Sequence, residues 1–194
     1  MLSPKLNNMK KIFLFLLAAS LTTTLSAQTE AEMKAWQEYM TPGEAHKMLA
    51  KSEGTWNGEI TMWMAPGQEP IKSKGTAKNE MILGGRYLQG VNKGDFMGMP
   101  MEGISLTAYD NAKKKYYSTW IDNFGTGIMT MEGTWDPKKK AIHFKGTCTD
   151  PMTGKDMKVR ETYTFIDDNT HFMEMWMEHN GKEFKSMEIK YTKG

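Results

Sequence analysis

The sequence predicts an all-β protein in which about ten antiparallel, up-and-down strands close into a barrel. Two observations carry this prediction. After Glu53 apolar residues alternate with polar ones at a period of two, and turn-forming residues repeatedly interrupt that alternation. Closure is the economical arrangement for many sequential hairpins, because it leaves no strand edge unpaired.

The N-terminus resembles a secretory leader rather than part of the fold. A lysine pair precedes an apolar run of about 14 residues, 12–25, which ends in small residues and is too short to cross a bilayer as a helix. We therefore expect residues 1–27 to be removed near Ala27-Gln28, leaving a soluble periplasmic or secreted protein without a membrane span. Met9, directly before the lysine pair, is an alternative start of the same leader.

Charge and cysteine usage narrow the possible functions. The chain has 25 basic and 23 acidic residues, and the leader contains three of the lysines and no acid, which leaves 22 basic against 23 acidic residues. A net charge of about −1 gives no electrostatic basis for binding nucleic acid, so that class is excluded. Cys148 is the single cysteine, which excludes an intramolecular disulfide and a cysteine-based metal site.

A helical segment, residues 28–52, is predicted to precede the barrel domain, residues 53–194. Apolar residues recur at three- to four-residue spacing from Met33 to Met40. Thr41 with Glu44 three places later forms a capping box, which predicts the start of a second short helix.

The barrel strands follow from the alternation and from the turns between them. Asn180-Gly181, between two alternating runs, is the strongest hairpin signal. A two-sheet sandwich is the alternative arrangement of the same strands. The predicted strand segments are 54–64, 72–83, 86–93, 101–110, 115–121, 128–135, 140–148, 156–166, 171–179 and 183–192.

Strand parity predicts which side chains point into the barrel, because alternate residues face opposite sides of a sheet. The resulting interior is apolar with one or two carboxylates. The inward set on the most clearly patterned strands is Trp56, Ile60, Met62, Met64, Met129, Met131, Trp135, Ile142, Phe144, Cys148, Met157, Val159, Glu161, Tyr163, Phe165, Met187, Ile189 and Tyr191.

Several short motifs give the chain a family resemblance. Gly54-Thr55-Trp56 is similar to the Gly-x-Trp signature of lipocalin and wider calycin barrels. Over about residues 42–192 the sequence resembles the bacterial domain of unknown function (DUF) family 1579. The resemblance implies a calycin-like barrel in an exported bacterial protein, with no assigned activity, with Trp56 closing one end and the second helix lying against or across an opening. The motifs that carry it are Gly84-Gly85-Arg86-Tyr87-Leu88-Gln89, Met97-Gly98-Met99-Pro100, Tyr109-Asp110-Asn111, Tyr117-Ser118-Thr119-Trp120-Ile121-Asp122 and Asp150-Pro151-Met152-Thr153-Gly154-Lys155.

Methionine is unusually frequent, with 17 of the 19 residues outside the leader. Soft thioethers together with imidazole suit Cu(I), so binding of copper or another metal is one alternative function. The other interpretation is that methionine fills an irregular interior or adapts to apolar ligands, and Phe172 with Trp176 could equally be the buried face of the same strand. The candidate metal ligands share one strand face and are His171, Met173, Met175, Met177 and His179.

Acid–base catalysis would need a second group to meet Glu161 in the interior. Glu102 and Asp122 are the candidate partners, whereas Arg86 or Arg160, the two arginines of the chain, would neutralise a buried Glu161. No nucleophile elbow, phosphate loop or His-Glu-x-x-His motif occurs. We therefore expect no enzymatic activity.

Two connections are candidate recognition elements. The stretch 116–127 could hold a polar ligand end through Trp120 and Asp122, or could form a hairpin with a packed tryptophan. The connection from Met97 to Met101 is apolar and could form a lid or a partner contact.

The leading hypothesis is a binding module whose cavity accepts a small hydrophobic or amphipathic molecule and which needs no cofactor. The alternatives are copper or other metal binding, and a structural or interaction protein without a ligand. The residues predicted to line the cavity are Trp56, Met62, Trp120, Met129, Met131, Glu161 and Tyr163.

Overall fold

A computed structural model of the protein describes residues 29–179 and 181–194, except for the side chain of His179. The predicted leader, residues 1–27, lies outside the described residues. The described chain divides at Thr41 into a helical N-terminal unit and a barrel unit, Pro42–Gly194.

The N-terminal unit is one helix, α1, over residues 29–40. Its apolar side chains are exposed, and the Trp36 and Tyr39 rings meet edge to face with centroids 6.0 Å apart. The Thr41 hydroxyl donates to the Gln37 carbonyl at 2.6 Å, which supplies a donor to the last turn. Within the described residues, no helix combines the length and the hydrophobicity needed to cross a membrane.

The second helix, α2, spans Glu44–Ala50, and the capping box predicted at its start was wrong. Gly43 is the N-cap, and its amide donates to Nδ1 of His46 at 3.0 Å. Thr41 lies two residues before the N-cap, so its side chain is not at the position that caps α2.

Ten strands follow and form a closed antiparallel barrel in which every strand pairs with its sequence neighbours. The first strand also pairs with the last, through Trp56 opposite Lys193 and Met62 opposite Met187. This closure confirms the predicted barrel and excludes the sandwich. The strands are β1 Gly54–Met62, β2 Ile71–Ile82, β3 Tyr87–Phe96, β4 Met99–Asp110, β5 Lys115–Asp122, β6 Met129–Asp136, β7 Ala141–Thr149, β8 Asp156–Asp167, β9 Thr170–His179 and β10 Lys182–Lys193.

The connection between β3 and β4 differs from the prediction of an apolar loop. Both strands extend further than their alternation indicated, and only Met97 and Gly98 join them. These two residues have φ of 54° and 84°, the conformation that two-residue hairpin turns require. A tight turn of this length leaves no segment that could act as a lid.

The predicted inward faces are confirmed on all the strands for which parity was assigned, apart from Met64, which lies beyond the end of β1 and is exposed. Three glycines, Gly58, Gly75 and Gly94, lie directly opposite one another on β1, β2 and β3. A Cβ atom on Gly75 would lie 2.8 Å from the Lys93 carbonyl oxygen, so glycine is required where the wall curls tightly.

Candidate functional site

One end of the barrel is filled by side chains and covered by α2. Leu49 of α2 belongs to the hydrophobic core, and the His46 ring meets the Tyr109 ring edge to face at 5.9 Å. Trp56 is 1 % exposed, stacks on His171 at 4.2 Å and donates from Nε1 to the Ser52 carbonyl at 2.8 Å. Trp56, predicted as a cavity-lining residue, therefore lies in the packed closed end.

His171 is held in that closed end as a neutral group. Its Nδ1 atom is hydrogen-bonded to the Tyr163 hydroxyl at 3.0 Å. Burial, with the charge of Lys193 as a smaller cause, lowers the pKa of His171 to about 4. Its Nε2 atom is buried without a hydrogen-bond partner in the described structure.

The inner wall of the barrel has two chemically different sides. On β2 to β5 most inward positions are small or polar, and Asn79, Asn92 and Ser105 surround Gly90. On β6 to β10 and β1 the inward positions are mostly methionine, aromatic or β-branched. The apolar side would accept a hydrocarbon, whereas the polar side contributes hydrogen-bonding groups.

A row of four side chains crosses the middle of the apolar side. Met62 lies opposite Met187, Met187 opposite Met175, and Met175 opposite Glu161 on the next strand. Met62, Met187 and Glu161 keep accessible surface although they face inward in a closed barrel. Met62 is the last residue of β1, so its surface borders the mouth, whereas Met187 and Glu161 lie well inside their strands, and their surface indicates interior space that other side chains do not fill. We refer to these four residues as the middle row.

Glu161 is an isolated carboxyl within this row. Burial raises its pKa to about 7, and no positively charged side chain contributes to that pKa. Both predicted carboxylate partners are engaged elsewhere: Glu102 pairs with Lys93 at 3.3 Å, and Asp122 accepts the Trp120 Nε1 hydrogen bond at 2.7 Å. The structure brings neither of them together with Glu161.

The proposed neutralisation of Glu161 by an arginine was also wrong. Arg160 points out of the barrel, where its guanidinium bonds both carboxylate oxygens of Glu183 at 2.9 and 2.8 Å and stacks 3.8 Å from the Trp176 ring centroid. Arg86 donates to the Leu83 carbonyl at 3.1 Å in the turn between β2 and β3. Adjacent strand residues face opposite sides, so an inward Glu161 forces Arg160 outward.

Two tyrosines lie near the Glu161 carboxyl. Tyr163 follows it on the same face of β8, and the Tyr191 ring centroid is 6.3 Å from that of Tyr163. Burial raises the pKa of both phenols, and the Glu161 charge contributes to each rise. The tyrosines therefore stay protonated, and Tyr163 is oriented by its bond to His171.

The opposite end of the barrel is the mouth, where Trp120 and Met129 lie directly opposite each other on β5 and β6. The Trp120 ring covers Gly103, since a Cβ atom there would lie 2.3 Å from Trp120 Cζ2. Asp122 also accepts the Phe124 and Gly125 amides at 2.9 and 3.1 Å, which fixes the loop after β5. Met131, one step deeper on β6, is buried in the core.

The predicted lining residues thus fall into separate groups. Met62 and Glu161 are the two end members of the middle row, and Tyr163 follows Glu161 on β8. Trp120 and Met129 lie opposite each other at the mouth, and Met131 and Trp56 are packed in the core. The sequence analysis gave Met175 only as a candidate metal ligand and did not include Met187 or Tyr191 in a site, although the parity that placed Met187 and Tyr191 inward was an available signal.

The predicted metal ligands of β9 do not converge on one point. His171, Met173, Met175 and Met177 share the inward face, and strand geometry separates the first from the last by about 20 Å. The side chain of His179 lies outside the described residues. Among the described residues there is no group of three or more histidine, cysteine, aspartate or glutamate side chains placed to hold a metal ion.

A groove of about 620 Å³ lies on the outer wall, over the glycine positions of β1 to β3. Its charged side chains are Glu59, Lys74 and Lys93, of which Lys93 already pairs with Glu102. The groove is open to solvent and its charges are mixed, so the interior is the better candidate site.

The sequence was compared with known protein families and matches one of them. Residues 41–193 match the family described as "Protein of unknown function (DUF1579)". The chain belongs to this family. No curated protein matches the sequence.

Solved structures extend the likeness of this DUF1579 protein to other barrels of the lipocalin-like class. Rv2717c from M. tuberculosis is similar with a TM-score of 0.61 and 13% sequence identity, over 79% of this chain and 99% of that chain. The S-type phycobiliprotein lyase CPES from Guillardia theta is similar with a TM-score of 0.54 and 6% identity, over 77% of this chain and 92% of that chain. At these identities the likeness concerns the fold alone, and the function of the DUF1579 chain has to be argued from its own interior.

Proposed function

We propose that the protein binds a small hydrophobic or amphipathic molecule inside the barrel and does not transform it. One observation carries the proposal: in the middle row, inward-facing side chains keep accessible surface within a closed wall. Methionine suits such a role, because its unbranched, polarisable side chain repacks around apolar guests of different shape. We also propose that the protein acts outside the cytoplasm, in the periplasm or after secretion, as its leader predicts.

The arrangement of the two ends supports entry through the mouth. The closed end is filled by Trp56 and Leu49 beneath α2, whereas Met129 and Met177 at the mouth side are only partly buried. A ligand entering at the mouth would meet thioethers first and the Glu161 carboxyl at greater depth. This order suits a molecule with an apolar body and a polar end.

A neutral naphthylamine dye that fluoresces only in apolar surroundings tests this proposal. We expect the dye to bind saturably. Met187→Gln, which places an amide of similar size in the middle row, should lower the affinity for the dye at least tenfold. Met64→Gln is the matched control, because Met64 is 55% exposed beyond the end of β1. Absence of saturable binding, or equal loss in both variants, would contradict an interior site.

A second candidate function, copper binding, is favoured by one specific observation. Met62, Met187 and Met175 lie directly opposite one another on three neighbouring strands, so their thioethers start from adjacent points on the wall. Three thioethers are a ligand set that suits Cu(I). This cross-strand set replaces the set along β9 as the geometry to test.

Competition with a coloured Cu(I) chelator separates the copper candidate from the organic ligand. If the cross-strand set binds copper, Met62→Leu and Met175→Leu each weaken Cu(I) retention while Met64→Leu does not. If a stoichiometric amount of the chelator removes all copper from the unsubstituted protein, the copper candidate is eliminated. The proposal of an organic ligand is then unaffected.

A further inference from the structure

We propose that the interior site selects amphiphiles with a cationic head, a primary amine or a quaternary ammonium, and that Glu161 with the rings of Tyr163 and Tyr191 receives that head. This inference rests on the proposed ligand binding in the barrel and names the chemical class of the ligand. It states which charge the head group of the ligand carries, and the binding of an apolar ligand body alone does not determine that charge.

The first argument is the distribution of charge along the inner wall. In the described strands, lysines reach inward register only at the strand ends, with Lys182 at the mouth and Lys193 at the closed end, and both are exposed. Glu161 is thus a deep carboxyl without a cationic partner. A positive head would supply that partner where charges are weakly screened, whereas a carboxylate head would place a like charge beside Glu161.

The second argument is the pair of aromatic rings beside the carboxyl. The negative face of an aromatic ring attracts a cation, and quaternary ammonium groups are commonly held this way. Tyr163 and Tyr191 have ring centroids 6.3 Å apart and an angle of 34° between their planes. Tyr163 lies two residues from Glu161 on the same face of β8 and is paired with Tyr191, so the two rings lie on the closed-end side of the carboxyl, where a head group bound to Glu161 would reach them.

The third argument is that the Tyr163 ring is held in place and that the wall beside Glu161 is apolar. Tyr163 cannot turn freely, because its hydroxyl is bonded to His171, whose ring is stacked on Trp56. The ring is thereby held in place by the packed closed end. Met175 and Met187 lie beside Glu161 in the middle row, and Met177 lies one step nearer the mouth on β9, so an alkyl tail has an apolar path.

Binding of a cation should also carry a pH signature. Ionisation of Glu161, whose pKa burial raises to about 7, strengthens the site, so cation affinity rises from pH 6 to pH 8. The other titratable groups at inward positions on the described strands are Tyr109 on β4, Tyr116 and Asp122 on β5, Cys148 on β7, Tyr163 on β8, His171 on β9, and Lys182, Tyr191 and Lys193 on β10. Burial moves the pKa of His171 down to about 4 and that of Tyr116 up to about 12, both outside this window.

The test displaces the neutral naphthylamine dye with three amphiphiles of equal chain length, decyltrimethylammonium, decanol and decanoate. The two ions are kept below their micellar concentrations and decanol below its solubility limit. Salt at physiological strength screens the surface charges. At pH 8 we expect the cation to displace the dye at a concentration at least tenfold lower than decanoate. The preference should shrink at pH 6.

Substitutions at Glu161 and Tyr191 test whether these residues cause the preference for the cation over decanoate. Glu161→Gln should abolish it while leaving displacement by decanol unchanged. Tyr191→Phe keeps the ring and should keep the preference, whereas Tyr191→Leu removes the ring and should reduce it, so the phenylalanine variant is the matched control. A preference that survives Glu161→Gln would overturn the role of the carboxyl.

The outcomes separate this inference from the proposed function. Equal displacement by all three amphiphiles, or stronger displacement by decanoate, overturns cation selection and leaves an interior apolar site standing. Dye binding that none of the three displaces also overturns it. Failure of the dye to bind at all overturns the proposed function and this inference together.

Discussion

The two ends of the barrel are built from the same ten strands and differ in how their interior is filled. At the closed end Trp56 and His171 are each 1% exposed, and Leu49 of α2 is 2% exposed. Towards the mouth, Met129, Met177 and Met187 face the same interior and keep accessible surface. The difference shows that alternation decides which way a side chain points, whereas the covering helix decides whether the space it enters is filled.

The turns and loops at the two ends also differ in the side chains that they expose. At the closed end the turns carry lysines, at Lys113-Lys114 and at residues 138–140. At the mouth, exposed apolar side chains occur on loops, at Met97, Phe124 and Met152, whereas Leu83 and Ile166 are the exposed apolar side chains of the closed end. Charged turns suit an end that only faces water, and apolar loop tips suit an end that an apolar molecule approaches.

The largest expected effect comes from removing the tryptophan of the closed end. Trp56→Ala should destabilise the protein by about 3 to 5 kcal/mol, because it leaves a cavity in a packed region and removes the bond to the Ser52 carbonyl. Met187→Ala in the middle row should cost less than about 2 kcal/mol, because its side chain already borders open space. Urea unfolding followed by circular dichroism gives both free energies, provided the slopes agree. Equal costs would mean that the middle is as tightly packed as the closed end.

A smaller effect, with a distinctive pH dependence, is expected for Glu161. Burial raises its pKa to about 7 in the folded state, so between its ordinary value near 4.5 and 7 the folded protein holds a proton that the unfolded chain has released. Its contribution to stability is therefore fully present below about pH 4.5 and is lost as the pH rises through 7. Because each pKa unit corresponds to about 1.4 kcal/mol, Glu161→Gln should be more stable than the unsubstituted protein by about 2 to 3 kcal/mol at pH 8.

His171 at the closed end provides the opposite control for that measurement. Its pKa is lowered to about 4, so its contribution to stability is fully present above about pH 6.5 and is lost as the pH falls through 4. His171→Phe should remove this loss at acid pH and leave the alkaline arm of the profile unchanged. Urea unfolding at pH 4, 6 and 8 separates the two groups, and a Glu161→Gln profile that still declines from pH 6 to 8 would contradict the assignment.

Local patterns were sufficient for the strands and for their inward faces. Period two and turn chemistry act over a few residues, so ten strands and the orientation of Met62, Glu161 and Tyr163 could be predicted. That Met62 and Glu161 belong to one cross-strand row could not be predicted, because the row depends on the pairing of β1 with β10, the two strands furthest apart in sequence. The two-residue hairpin between β3 and β4 was not predicted, because Gly98 was the only turn-forming residue among the methionines of this segment.

The smallest expected effect concerns the loop that borders the mouth. Asp122→Asn keeps one oxygen to accept the Phe124 and Gly125 amides but replaces the oxygen that accepts the Trp120 indole bond at 2.7 Å. The expected cost is about 1 kcal/mol, together with a change in tryptophan fluorescence as Trp120 is released. Asp110→Asn is the matched variant at the closed end, because Asp110 likewise accepts two turn amides and has no indole bond. If both variants cost the same and fluorescence stays unchanged, the indole bond does not hold the mouth loop, and Trp120 is fixed there by its packing over Gly103.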